Sequence, residues 1–118
     1  MRNIHSLRKN REFQRVYQQH RSLANRYLVV YVAPRAERTD PSRIGISVSK
    51  KVGNSVVRHR VTRLIRESYR LHQALLKPGY DIIVVARPLA KGQGFLEVEH
   101  AYLHLLQMHG ILLENRSE

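Results

Sequence analysis

The residues best suited to chemistry lie in SKKVGNSVVRHRVTRLIRESYR, from Ser49 to Arg70. This stretch holds seven Lys and Arg side chains against one acid, Glu67. At 100° per residue, Val57, Val61, Leu64, Ser68, Leu71 and Leu75 fall on one side of a helix, a stripe of the width a core-facing helix needs. His59, Arg63, Arg66 and Arg70 recur at spacings of four, three and four on the far side, and Arg58 and Arg60 flank the stripe. A solvated helix face usually mixes acids with bases at i, i+4, and a localisation tail has no reason to carry a core stripe. The pattern fits a rigid rod that presents guanidinium forks to phosphate oxygens. Lys50, Lys51 and the Gly53-Asn54 turn lead into the helix N-terminus, where free amides and the helix dipole also favour an anion.

The other chemistries are poorly supported. Zero cysteines remove disulfides, thiolate metal sites and thiol nucleophiles, as suits a reducing compartment. The seven histidines are scattered, without the paired placement or the carboxylate and Lys neighbours that acid–base cleavage needs. His100 and His104 form an i, i+4 pair lacking a third metal ligand at recognisable spacing, so exposed or capping histidines are the default. No carboxylate cluster suggests bound magnesium, and GQG at Gly92–Gly94 is too short to cradle phosphate. The expectation is no catalytic residue, no metal and no cofactor in the protein itself, and no small-molecule ligand.

The chain that must position the basic helix has 118 residues, 42% of them hydrophobic, enough for one domain with a modest core. A single domain spanning 1–118 is expected. The net charge of +12 sits in two blocks, +6 over residues 1–26 and +6 over residues 50–70. Self-repulsion of this size calls for a neutralising partner, with nucleic acid ahead of an anionic membrane surface. No apolar run reaches membrane-spanning length and the first residues lack the apolar stretch of a secretory signal, so the expected location is the cytoplasm.

Along the chain, Asn10 is a plausible N-cap for a short helix in which Phe13, Val16 and Tyr17 fall at i, i+3 and i+4. Tyr27–Val32 reads as a strand closed by Pro34 and a polar loop. In Arg43–Ser49 the alternation is strict, with Ile44, Ile46 and Val48 toward the core and Gly45, Ser47 and Ser49 on an open face. Asn54 or Ser55 caps the basic helix, which must end before Pro78-Gly79. Asp81–Ala86 reads as a central strand buried on both faces. Helical spacing returns from Phe95 to about His109, with Phe95, Val98, Tyr102 and Leu105 or Leu106 on one side and Gly110 as the cap. The order α-β-β-α-β-α, with room for one extra strand in the loop, predicts an α/β sandwich of helices on a mixed sheet.

The string SVSKKVGNSVVRHRVTRLIRESYR resembles the signature of the bacterial ribonuclease P protein subunit. LRKNREFQRVYQQHRSLANRYLVVY is similar to that family's first helix and strand, and GYDIIVVAR to its buried strand. The resemblance implies a two-layer α/β sandwich of a mixed sheet and three helices with a left-handed βαβ crossover. It also implies assistance to a large catalytic RNA that removes the 5′ leader from precursor tRNA, with Mg²⁺ expected at the RNA. Partners would be the catalytic RNA subunit and precursor tRNA, with no membrane. The family's Arg-Asn-Arg motif falls on Arg58-His59-Arg60, where His59 stands in place of Asn, and Arg63 and Arg66 follow. Thr62 stands where a basic residue is frequent. With Lys50, Lys51, Asn54 and Arg70 these form the expected RNA-binding set.

The second implied site is a cleft between the first helix and the open sheet face, where the family receives the single-stranded leader. Phe13, Tyr17 and Tyr31 match its aromatic positions, and Arg11, Arg15, Gly45, Ser47 and Ser49 are expected along the same cleft. Aromatic faces suit that task because any base stacks on them. By pattern alone Phe13, Val16 and Tyr17 would be the core face of a short helix; the resemblance moves Phe13 and Tyr17 toward function and leaves Val16 in the core. The alternative reading is a general RNA-binding or ribosomal protein, which would bind many RNAs alike.

Overall fold

A computed structural model describes residues 5–113. Helix α1 covers Asn10–Gln18, followed by strands β1 (Ser22–Ala24), β2 (Leu28–Pro34) and β3 (Arg43–Ser47). Helix α2 runs from Ser55 to His72 and continues as a 3₁₀ turn over Gln73–Leu75. Strand β4 (Tyr80–Ala86), a 3₁₀ turn at Pro88–Ala90 and helix α3 (Phe95–Met108) complete the order.

The four strands lie in the order β1-β2-β4-β3, with β3 parallel to β4 and the other pairs antiparallel. β4 is therefore central, and Ile82, Ile83 and Val84 are fully buried, as its continuous apolar run predicts. The β3–α2–β4 unit is the crossover between two adjacent parallel strands. Leu28, Val30, Val32, Ile44, Ile82 and Val84 join Val61, Ile65, Val98 and Tyr102 in the main core, so α2 and α3 form one layer against the sheet. α1 lies across the other face, where Val16 and Leu7 pack on Ala33 and Ile83.

Several local expectations shift. β1 is a strand the sequence did not show, because its three residues are exposed or half-buried and carry no alternation of burial. β2 runs two residues further than expected, ending on Pro34 opposite Tyr80, and β3 stops at Ser47. Asn10 is the first helical residue rather than the cap. The helix start is held instead by Glu12, whose carboxylate accepts from the backbone N–H groups of Arg8 and Lys9 at 2.9 and 3.0 Å.

The buried arc of α2 is also rotated, by roughly 60° at 100° per residue. Ile65 and Tyr69 are buried with Val61 and Ser68, while Leu71 and Leu75 are 49% and 44% exposed. The helix packs on both β3 and α3, so its core direction bisects two neighbours instead of following the most apolar stripe. In α3, Ala101, Leu105 and Leu106 are all buried, Phe95 only partly, and Gly110 takes a left-handed conformation (φ 75°) just past the C-cap His109.

Candidate nucleic-acid interface

The basic helix is fixed at its start by a compact turn. Val52 is buried as a plug, and Gly53 is required because a Cβ there would lie 2.8 Å from the Val57 side chain. Asn54 caps α2, its Oδ1 accepting from the Val57 N–H at 3.0 Å. Its role within the expected RNA-binding set is thus to hold the helix start, with its oxygen already engaged. Lys50, Lys51, His59, Arg60, Arg63 and Arg66 are exposed around this start and along the outer face. Arg70 departs from the group by pairing with Glu67, its Nε donating at 3.0 Å.

Arg58 is the half-buried member. It lines a groove of about 440 Å³ with Ile46, Val48, His59, Arg63 and Arg66, between α2 and the end of β3. Its Nε is buried and has no hydrogen-bond partner among the described residues. An unpaired buried guanidinium donor is costly, so Arg58 gains if its fork turns toward an anion in the groove.

The second site follows from strand register. On the α1 face the cross-strand rows are Ala33, Asp81, Arg43; then Ser22, Tyr31, Ile83, Gly45; then Ala24, Val29, Val85, Ser47. α1 covers the first two. Gly45 permits this, because a Cβ there would stand 2.5 Å from Cζ of Phe13, whose ring rests on the bare strand. The supposedly open face of β3 is therefore closed at Gly45. The third row remains partly open: Val29, Val85 and Ser47 are half-buried and form a floor beside Phe13, Tyr17 and Tyr31.

Tyr17 and Tyr31 meet edge to face, with centroids 4.8 Å apart at 90°, which holds one ring against the other. Burial pushes the Tyr17 phenol above its ordinary range, while the facing Ser47 side chain works the other way. Arg11 is exposed on the outer turn of α1 and Ser49 lies on the turn beyond β3.

Arg15 was expected in this cleft, and its guanidinium is anchored beneath α1: Nη2 lies 2.5 Å from Oδ2 of Asp81, and Nη1 donates to the Pro34 carbonyl at 3.2 Å. Asp81 is the residue the sequence reading missed. It is fully buried and also binds Arg43 through both oxygens, while Arg35 Nε stands 3.8 Å away. Burial alone would raise its carboxyl pKa, but hydrogen bonds from Arg43 and Arg15 overcome that and hold it below its ordinary value. The signal was available: an acid opening the apolar run DIIVVA must be buried, and a buried charge must be paired. Glu12 extends the network by accepting from Arg43 at 3.0 Å.

Comparison with known proteins decides which family this architecture serves. The family model described as Ribonuclease P matches residues 1–110. The chain belongs to the ribonuclease P protein family. It is 50% identical over 107 residues to the ribonuclease P protein component of Lachnoclostridium phytofermentans, covering 91% of this chain and 90% of the relative. The fold matches the ribonuclease P protein of Staphylococcus aureus with a TM-score of 0.82 at 38% identity, over 92% of this chain and 98% of that one. The Thermotoga maritima ribonuclease P protein gives 0.78 at 31% identity, over 87% and 96%. Membership makes the chain an RNA-binding subunit of a tRNA-processing ribonuclease.

Proposed function

We propose that this ribonuclease P subunit performs two jobs on opposite sides of β3. The groove beside α2, with Arg58, His59, Arg63 and Arg66, and the adjoining exposed Arg60 grip the catalytic RNA. The cleft of Phe13, Tyr17 and Tyr31 over the Val29, Val85, Ser47 floor holds the single-stranded leader of precursor tRNA. The observation that carries the first assignment is the half-buried Arg58 in a groove rimmed by the exposed Arg63 and Arg66. The second rests on aromatic edges left half-exposed beside an open row of the sheet, a stacking surface indifferent to base identity.

On this reading the protein acts by positioning and by screening phosphate repulsion, and the cleavage chemistry belongs to the RNA. Mg²⁺ would be held there. Among the described residues no group of three or more His, Cys, Asp or Glu is placed to hold a metal, and the buried carboxylate Asp81 is saturated by guanidiniums. No helix among them is long and apolar enough to cross a membrane, and the site of action in this proposal is the cytoplasm.

Replacing Arg58 and Arg60 together with Ala tests the first job, and Tyr17→Ala the second. The double variant should bind the catalytic RNA at least about tenfold more weakly, as loss of two charge-assisted phosphate contacts implies. Tyr17→Ala should weaken precursor tRNA by about 1–3 kcal/mol and leave both assembly and mature tRNA unchanged. Equal losses for precursor and mature tRNA would remove the leader assignment.

A further inference from the structure

A second concave site lies at the other edge of the sheet. β1 and β3 are the two edge strands, roughly 14 Å apart at the usual strand spacing. Between the β1–β2 turn and α3 is a cavity of about 220 Å³ lined by Arg26, Tyr27, Glu97, His100, Ala101 and His104. Its frame is fixed. Asn25 donates from Nδ2 to the Ala101 carbonyl at 3.0 Å, and its Oδ1 accepts from the N–H groups of Tyr27 and Leu28 at 3.2 and 3.1 Å. Arg87 donates to the Asn25 carbonyl at 2.7 Å and brings a further positive charge beside the turn.

His100 and His104 are both exposed, one turn apart on α3, with rings parallel to within 3° and centroids 6.5 Å apart. That centroid separation is close to twice the ~3.4 Å spacing of stacked bases, the distance at which two parallel rings can flank one planar ring. The Arg26 guanidinium lies 5.5 Å from the centroid of Tyr27, adding a second π surface and a cation at the same cavity. With Arg26 at the cavity and Arg87 beside the turn against the single lining acid Glu97, the charge suits an anionic chain.

We propose that this cavity takes one unpaired nucleobase of a single-stranded RNA segment, inserted between the imidazoles of His100 and His104, with Arg26 drawing the adjoining phosphate. Histidine and arginine planes are established stacking partners for splayed bases. The inference rests on the RNA-binding role of the family and is independent of the leader cleft. It gives the protein a grip on RNA at the β1 edge in addition to the one at the β3 edge.

The test is titration of the full chain with a short single-stranded oligoribonucleotide while the imidazole proton resonances of His100 and His104 are followed by NMR. Both sets should move upfield together under the ring current of the inserted base, and should do so equally in Tyr17→Ala. The double variant His100→Ala, His104→Ala should bind the oligonucleotide at least about fivefold more weakly. His104→Ala alone, which removes one wall, should abolish the shift at His100. Unshifted imidazoles at saturating oligonucleotide would overturn the proposal while leaving RNA binding by α2 intact. Shifts produced only by added Zn²⁺ would overturn it in favour of a chelating histidine pair.

Discussion

Arg43 grips Asp81 through both carboxylate oxygens, Nε to Oδ1 and Nη2 to Oδ2 at 2.8 Å each, on the sheet face that carries α1. The same carboxylate receives Arg15 from α1, and Arg43 reaches Glu12 one turn earlier on that helix. One buried acid therefore ties the helix of the aromatic cleft to the two parallel strands. Asp81→Ala should destabilise the fold by about 2–4 kcal/mol, somewhat below a fully buried pair because the guanidiniums keep access to water. Urea unfolding measures this directly. A change under about 1 kcal/mol would mean that the network is dispensable.

The same network sets the acid limit of stability. The backbone N–H groups of Lys9 and Arg8, aided by Arg43, lower the Glu12 pKa from 4.5 to about 2, and Asp81 is also held low. Carboxylates depressed in the folded state stabilise it above their unfolded pKa values and lose that contribution as pH falls through the folded ones. The urea midpoint should therefore drop as pH is lowered from 4.5 toward about 2, and Glu12→Gln should flatten part of that slope.

Gly45→Ala separates cleft geometry from RNA assembly. The added methyl would meet Cζ and Cε2 of Phe13 at 2.5 and 2.7 Å, so the ring must leave the strand. The expected outcome is a stability loss of about 1–3 kcal/mol and weakened precursor tRNA binding, with affinity for the catalytic RNA retained. Equilibrium binding of the two RNAs by one preparation checks both halves.

Much of this was legible because it is local. The capped basic helix, the apolar run of β4 and the family string are each contained in a few turns or one strand. The rest depends on partners far apart in the chain. Arg15 and Asp81 are separated by 66 positions, and β1 exists only because Ser22–Ala24 pairs with Tyr31–Val29. The core side of α2 was misjudged because hydrophobicity placed Leu71 and Leu75 inward, whereas packing on α3 selected Ile65 and Tyr69. The cleft residues Phe13 and Tyr17 came from the family resemblance; their spacing alone described an ordinary core face.

Phosphate contacts leave a signature in salt dependence. Replacing Arg63 or Arg66, both exposed on α2, should reduce the slope of log affinity against log salt by about 0.7–0.9 per lost contact, with little effect on stability. Arg70, already paired with Glu67, should change that slope less. Binding isotherms at several salt concentrations distinguish the two groups.

The central claim is that the protein assists an RNA catalyst, and precursor-tRNA cleavage at low magnesium tests it most directly. The cognate catalytic RNA should be strongly stimulated by the protein, while the protein alone should leave the substrate intact. Cleavage by the protein without RNA, or no stimulation of the RNA in its presence, would contradict the account.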